Sequence, residues 1–196
     1  MSVTKSEQRA ETMRKLIQVA RTQFTEFGYA QASTETIVRL AGVTRGALYH
    51  HFGSKEGLFK SVVADIQREV ALRIDVASQA PGQPMEQFIA GCRAFLLACL
   101  DPEVQRILLI DGPAVIGWDA WRQMDAENSM RLLEEGVREL VDANQIEVAS
   151  IRAATHLLSG AMNEAVLWIA RSPQPLQTLD DTVAVLEQIL DGLRVR

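Results

Sequence analysis

The sequence predicts an all-α protein, and three observations support this fold class. Apolar residues recur at helical spacing along most of the 196 residues. Short breaks, each containing glycine, proline or a helix-capping residue, separate these segments. No stretch alternates between apolar and polar residues for long enough to indicate a sheet. About nine helices are expected, without an internal repeat.

The first four predicted helices follow one another with very short breaks. An apolar face from Leu16 to Phe24 predicts a first helix that ends at Gly28. Each of the next three helices begins at a residue that can cap an N-terminus: Ser33, Thr44 and Ser54. The helix after Thr44 is unusually short, because it ends near His51.

A proline- and glycine-rich loop follows the fourth helix near the edge between an N-terminal head and a larger body. It contains Pro81, Gly82 and Pro84. We assign residues 1–56 to the first domain, with the fourth helix as its connection, and residues 57–196 to the second. The second domain is also predicted to be helical throughout.

The net charge of −5 is unevenly distributed. Residues 1–60 carry +4 and the remainder carries −9, so only the head is expected to meet a polyanion. No apolar run is long enough to span a bilayer, and the polar N-terminus lacks the core of a signal peptide. A cytoplasmic location without membrane contact is therefore expected.

The sequence gives little support for an enzyme or a metal site. The three histidines, His50, His51 and His156, match no metal or nucleophile motif, and no glycine-rich phosphate loop follows a strand. Cys92 and Cys99 lie seven residues apart in one predicted helix, about 10 Å along its axis, which is too far for a disulfide. No metal and no cofactor are expected.

The segment around "AGVTRGALYHH" has the plan of a helix-turn-helix. Gly42 permits the positive φ of a sharp turn. From Thr44 to His50 the helix rises about 10 Å, comparable to a DNA major groove about 12 Å wide. We therefore interpret the short helix as a recognition helix.

The composition of this segment suits DNA. At its N-terminal end, Arg45 can contact guanine, and Gly46 allows close backbone approach. Hydroxyl, aromatic and basic side chains suit phosphate oxygens. Leu48 and Phe52 should hold the helix to the core. The caps are also explained without DNA, and Tyr49 fits a core position equally well. The candidate DNA-contacting residues are Ser33, Thr34, Thr44, Arg45, Gly46, Ala47, Tyr49, His50 and Lys55.

Over about residues 10–60 the sequence resembles the N-terminal domain of the TetR/AcrR (tetracycline-repressor) family of bacterial transcriptional regulators. Ala32 and Val38 depart from the family pattern, and the first change removes a hydroxyl suited to a phosphate contact. The matching positions are Arg14 to Ile17, Ala20, Phe24, Gly28, Tyr29, Ser33, Ile37, Ala41 to Thr44, Gly46, Leu48, Tyr49, His51, Phe52, Lys55, Glu56 and Leu58.

The resemblance implies an all-helical homodimer whose two heads contact the halves of an inverted-repeat operator on double-stranded DNA. It also implies a small-molecule effector that releases the DNA, so the usual role is repression in the cytoplasm, at the nucleoid. An alternative is a dimeric regulator without a small-molecule ligand, controlled by a protein partner or by oxidation. A small helical enzyme is a remote alternative.

The last two predicted helices are expected to form the dimer. The first of them is apolar or small at nearly every position, and the second has apolar residues at alternating spacings of three and four. Burial of both helices inside one chain is the alternative. The predicted interface residues are Leu158, Ala161, Ala165, Leu176, Leu179, Val183, Leu186 and Leu190.

Methionine, cysteine and aromatic residues of the body are candidates for an apolar effector cavity, although an ordinary core explains them as well. His156 and Asn163, a polar pair seven residues apart in an apolar helix, are suited either to orienting a ligand or to hydrogen bonding across the dimer. The body's acidity favours a neutral or cationic effector over an anionic one. The candidate residues are Phe95, Leu96, Cys99, Trp118, Trp121, Met124, His156 and Met162.

Overall fold

A computed structural model describes residues 4–195 and is all-helical over that range, as the sequence predicts. It contains eleven α-helices and one π-helical segment, with a single isolated β-bridge between Ile146 and Arg194. The described residues divide into two compact units, one of residues 4–66 and 106–121 and one of residues 67–105 and 122–195. None of the described helices is long and apolar enough to cross a membrane.

The N-terminal unit begins with four helices in the predicted order. Thr4 caps the first helix by accepting the Glu7 backbone N–H, and Ser33 and Thr44 cap the next two as predicted. The fourth helix continues past residue 66 into the other unit. The bounds are α1 Lys5–Gln31, α2 Thr34–Ala41, α3 Arg45–Phe52 and α4 Lys55–Ser78.

The predicted end of the first helix at Gly28 is a kink in the structure, where two helical stretches meet, and α1 continues beyond it to Gln31. Gly28 itself is not helical, with φ 73° and ψ 165°, a conformation open essentially to glycine alone. The helix is therefore kinked at Gly28 and not terminated there.

Aromatic rings form the centre of the N-terminal unit. The Phe24 ring meets the Phe59 ring edge to face, with centroids 5.1 Å apart, and Tyr29 packs on Phe59 at the same distance. Leu48 of α3 is completely buried, so the third helix is fixed to this core as predicted.

A later segment of the chain completes this unit. It comprises the π-helical Gln105–Asp111 and α7, Gly112–Ile116. The Tyr29 backbone N–H donates to the Asp111 carboxylate at 3.0 Å, and the Arg106 guanidinium covers Gly28 so closely that a Cβ there would overlap it. This segment therefore packs directly against the kink of α1.

The second unit is a helical bundle in which α5 packs against α9, α10 and α11. The helix α8 begins before residue 121, in the N-terminal unit, and ends in this one. Short helices around Pro102 and Pro113 raise the number of α-helices above the expected nine. The remaining bounds are α5 Pro84–Cys99, α6 Pro102–Val104, α8 Trp118–Ala126, α9 Ser129–Asp142, α10 Ile151–Ile169 and α11 Pro175–Asp191.

Candidate DNA-binding interface and effector cavity

The turn between α2 and α3 has the geometry that the sequence predicts. Gly42 adopts the left-handed conformation, with φ 66°, and its N–H bonds back to the carbonyls of Val38 and Arg39. Two residues later the Thr44 hydroxyl accepts the Ala47 N–H at 3.2 Å and starts α3. The result is a helix, a short turn and a second helix of eight residues.

The exposed face of α3 carries most of the candidate DNA-contacting residues. Thr44, Arg45 and Gly46 are exposed at its N-terminal end, and Tyr49 and His50 are exposed further along. Ala47, another of the candidate DNA-contacting residues, is half-buried. Leu48 lies on the opposite side of α3, in the core. One face of the helix therefore anchors it to the protein, and the other is exposed.

Arg45 has a defined surrounding on this face. Its guanidinium lies 3.4 Å from the Glu35 carboxylate of α2 and donates to the Tyr49 hydroxyl at 3.4 Å. It also stacks 5.5 Å from the centre of the Tyr49 ring. Glu35 and Tyr49 thus restrict the directions that the Arg45 side chain takes.

Ser33 and Lys55 are placed at helix starts beside α3. The Ser33 hydroxyl caps α2 by accepting the Thr36 N–H, and Thr34 is the first residue of that helix. The Lys55 ammonium lies 4.5 Å over the Tyr29 ring and donates to the Ala30 carbonyl at 3.4 Å. Burial lowers the pKa of Lys55.

Two basic residues near the start of α1 were not among the sequence predictions. Lys5 and Arg9 line one surface cleft together with His50 and His51 of α3. The pKa of His51 is lowered, first by burial and then by the nearby His50 and Arg9. Lys5 and Arg9 are four residues apart, so both lie on one face of α1, but the predicted apolar face began only at Leu16.

The second unit contains a cavity of about 250 Å³. Side chains from α4, α5, α9 and α10 line it, together with Asp125 near the end of α8. Its apolar wall includes Phe88, Phe95, Met130 and Met162. Apolar walls with a few polar groups are typical of small-molecule sites.

A buried ion pair lies at this cavity. Arg122 donates to the Asp125 carboxylate at 2.8 Å, and its guanidinium also contacts the Ser159 hydroxyl at 3.1 Å. Burial raises the pKa of Asp125 to about 6, although the Arg122 charge opposes the increase. Arg122 therefore ties α8 to α10 at the edge of the cavity.

The structure brings together only two of the predicted effector residues at this cavity, Phe95 and Met162. Leu96 and Cys99 are buried in the core, while His156 lines a separate surface groove. Met124 is half-buried outside the lining. In the other unit Trp118 is exposed, and Trp121 is buried against Gly112. The other six predicted effector residues do not line this cavity.

Four predicted dimer residues on α11 are buried by their own chain: Leu179, Val183, Leu186 and Leu190. Their spacing describes packing of α11 on α5 and α10 within one chain, which was the alternative interpretation. Leu176 and Ala161 are exposed, and Leu158 and Ala165 are half-buried. Four further apolar residues are exposed on the two helices and were missed: Leu157, Trp168, Val185 and Ile189.

Both cysteines are buried as free thiols. Burial raises the pKa of Cys92 to about 12 and raises that of Cys99 as well, with a further contribution from the Asp125 charge. Within residues 4–195 no cluster of three or more acidic, histidine or cysteine side chains is suited to a metal ion.

The exposed second helix of a helix-turn-helix, in an all-helical chain, defines a DNA-binding protein of the helix-turn-helix class. Comparison with known families makes this more specific. Residues 16–62 match the family described as bacterial regulatory proteins, tetR family. Residues 85–193 match the tetracyclin repressor-like C-terminal domain. The chain therefore belongs to the TetR family of transcriptional regulators, which bind DNA, act as dimers and are not enzymes.

Individual proteins that are similar to this chain support the same family assignment. The transcriptional regulator AcrR of Shigella flexneri is 27% identical over 194 residues, 90% of this chain and 87% of that protein. The A-factor receptor protein of Streptomyces griseus is 29% identical over 140 residues, 68% of this chain but only 47% of the receptor. A TetR-family regulator from Pectobacterium atrosepticum is 36% identical over 98% of both chains, with a TM-score of 0.79.

Proposed function

We propose that this regulator is a repressor that binds an inverted-repeat operator as a homodimer and is released by a small amphipathic effector. The exposed N-terminal end of α3 carries the proposal. Arg45 and Gly46 lie there beside the Thr44 cap, in a helix of eight residues that fits a major groove. In a dimer, two such helices lie on successive major grooves of one operator.

Helices α10 and α11 supply the proposed dimer contact. Leu157 is 75% exposed and Trp168 is 59% exposed on α10. On α11, Val185 and Ile189 are exposed and lie four positions apart, which places both on one face. Large exposed apolar residues that cluster in this way are typical of protein interfaces. The surface proposed for the partner is thus the outer face of these helices, while their inner face forms the core.

The cavity in the second unit supports control by an effector. A ligand releases DNA only if it binds the non-DNA conformation better than the DNA-binding conformation. A coupling of about 1–3 kcal/mol changes DNA affinity by about 5- to 150-fold. The alternative of control by oxidation is less well supported, because buried Cys92 and Cys99 are held as thiols and the thiolate is the reactive form.

Selection of bound DNA from a random pool tests the proposed function. We expect an inverted repeat whose half-sites lie about one helical turn of DNA apart, as two recognition helices require. The Arg45→Ala protein, selected in parallel, should recover a weaker consensus at the contacted base. A single unrepeated site, or no enrichment with the unchanged protein, would contradict the proposal.

A further inference from the structure

We infer that the cavity in the second unit binds an organic cation, with an aromatic or alkyl body in the apolar part and a protonated amine at the acidic side chains. This inference rests on the proposed function, because it names the chemical class of the effector. It depends on the charges that line the cavity, on a buried hydroxyl there and on the shape of the apolar wall.

The charges that line the cavity all have one sign. Four carboxylates line the cavity, and no lysine, arginine or histidine is among the lining residues. They come from three different helices, α4, α8 and α9: Asp75, Asp125, Glu135 and Glu139. A carboxylate ligand would therefore meet like charge from the lining side chains, which costs affinity, whereas an ammonium group would be attracted. The Arg122 guanidinium at the edge of the cavity is already paired with Asp125.

Two of these carboxylates are available to a ligand. Asp125 is paired with Arg122, and Glu135 is paired with Arg131 at 2.7 Å. In contrast, neither Asp75 of α4 nor Glu139 of α9 has an ion-pair partner within residues 4–195. A ligand cation would neutralise charges that the protein itself leaves uncompensated.

A buried hydroxyl gives independent support for a ligand. Ser129, the first residue of α9, lines the cavity and is only 9% exposed. Its hydroxyl makes no hydrogen bond to another side chain or to the backbone of residues 4–195. Because Ser129 lines the cavity, its hydroxyl is a hydrogen-bonding group for a ligand N–H or hydroxyl.

The apolar wall determines the rest of the ligand. Phe88 and Phe95 of α5 line the cavity together with Met130 of α9 and Met162 of α10, a combination that adapts to varied aromatic or alkyl groups. Gly136 brings α9 close to the Phe88 ring, since a Cβ there would lie 2.6 Å from it. At about 250 Å³ the cavity suits a small molecule, below the usual range of about 300–1,000 Å³ for drug-sized ligands.

Three probes with one body and different head groups test the inference by isothermal titration calorimetry on the full chain. They are 4-phenylbutylamine, 4-phenylbutanol and 4-phenylbutyrate. We expect the amine to bind about three- to tenfold more tightly than the alcohol, because each partly exposed ion pair contributes up to about a factor of five. The butyrate should bind more weakly than either. Raising the salt concentration should weaken only amine binding.

A variant that removes two of the carboxylate charges identifies the groups responsible for the preference for the amine. The double variant Asp75→Asn, Glu139→Gln should remove the preference for the amine while leaving the affinity for the alcohol unchanged. The matched control is Asp142→Asn, Glu147→Gln, which removes two exposed carboxylates that do not line the cavity. It should keep the preference within about twofold. Leu133→Trp should fill the cavity and weaken the amine and the alcohol together.

The outcomes separate this inference from the proposed function. Tighter binding of the butyrate or the alcohol than of the amine, or no binding of any probe, overturns the cationic class. Operator binding is measured separately, with labelled DNA. If the effector proves not to be a cation, the repressor assignment is still decided by the DNA selection experiment alone. If Leu133→Trp fails to fold, the near-isosteric amide variants still decide the question.

Discussion

At the scale of single residues, Arg45 has the clearest role in the DNA interface. The Glu35 carboxylate and the Tyr49 hydroxyl, each 3.4 Å from its guanidinium, hold it on the exposed face of α3. Restricting a flexible side chain before binding reduces the entropy lost on contact with a base. Glu35 accepts a hydrogen bond from the Arg45 guanidinium, so this bond must weaken or break when Arg45 contacts a base.

We therefore expect Arg45→Ala to weaken operator binding by about 1–3 kcal/mol and to relax the preference at one base. Lys55→Ala should weaken all sequences alike and lower the salt slope by about one, as loss of a phosphate contact does. Fluorescence anisotropy with operator and single-base variants, at several salt concentrations, measures both. Equal losses on every sequence for both variants would rule out the assignment of Arg45 to base contact.

Asp125 gives a prediction about stability and pH. Its folded-state pKa of about 6 lies above its ordinary value of 3.8, so the fold favours the protonated form. The contribution to stability is present below pH 3.8 and is lost as the pH rises through about 6. Relative to Asp125→Asn, the unchanged protein should lose about 2 kcal/mol of unfolding free energy between pH 4.5 and pH 7.

Urea unfolding of both proteins at the two pH values measures this difference. The comparison is needed because the other carboxylates titrate in the same range and contribute equally to the two proteins. A constant difference between Asp125→Asn and the unchanged protein would contradict the raised pKa.

The sequence anticipates residues whose role is local better than residues whose role depends on packing. Ser33 and Thr44 were predicted as caps because capping depends on the next three residues alone. Asp125 was not predicted as a site residue, because the cavity that it lines is also formed by α4, α5 and α10, which are distant from it in sequence. The same reason explains why Ser129 was missed.

At the scale of elements, the kink of α1 at Gly28 depends on a contact with the π-helical segment. Gly28 has a backbone conformation that other residues rarely adopt, and the Arg106 guanidinium occupies the space of a side chain. The backbone conformation is the stronger restriction, because the Arg106 guanidinium is the far end of a flexible side chain and can move aside. The element is thus more sensitive to substitution than helix propensity alone indicates.

We expect Gly28→Ala to lower the free energy of unfolding by about 1–3 kcal/mol. Gly46→Ala is the control, because a Cβ there meets only the Thr44 hydroxyl at an ordinary 3.8 Å. It should leave stability unchanged or raise it by up to about 1 kcal/mol. Chemical denaturation measures both variants, and an equal effect of the two substitutions would contradict the strain at Gly28.

Periodicity predicted the long helices well and the irregular segments poorly. Apolar spacing identified α4, α5, α10 and α11, because each buries a continuous face. The π-helical segment was missed, since it depends on the contacts of Asp111 and Arg106 with α1 rather than on its own composition. The spacing on α11 was correct, but it could not show whether the buried face met its own chain or a second one.

At the scale of the whole molecule, dimerisation gives the last prediction. Trp168→Asp with Ile189→Asp places charges on the proposed interface, where burial of an unpaired charge is costly. We expect the variant to sediment as a folded monomer and to bind the operator more weakly. A monomer has one recognition helix and so loses the gain in operator affinity from a linked second contact, which is commonly about 10²-fold or more.

Leu97→Asp is the matched control, because Leu97 is a 51% exposed apolar residue on α5 rather than on α10 or α11. That protein should remain dimeric in analytical ultracentrifugation. Circular dichroism shows whether each variant is folded. A dimeric Trp168→Asp, Ile189→Asp protein would place the interface elsewhere.

The uneven charge distribution, read directly from the sequence, bears on how the whole molecule approaches DNA. The first 60 residues carry +4 within a chain of −5, and the structure adds Lys5 and Arg9 to the side of α3 that carries His50. A positive face is expected to speed the approach to DNA at low salt. The acidic remainder should reduce nonspecific adhesion of the protein's other surfaces.

The hydrogen bond from the Tyr29 amide to the Asp111 carboxylate has a spectroscopic consequence. A carboxylate acceptor is charged, so this bond is stronger than the carbonyl bonds of neighbouring helical amides. The Tyr29 proton should therefore resonate downfield and exchange slowly with deuterium. One cross-peak in an ordinary nitrogen-proton spectrum would report whether the segment ending at Asp111 stays docked on the kink.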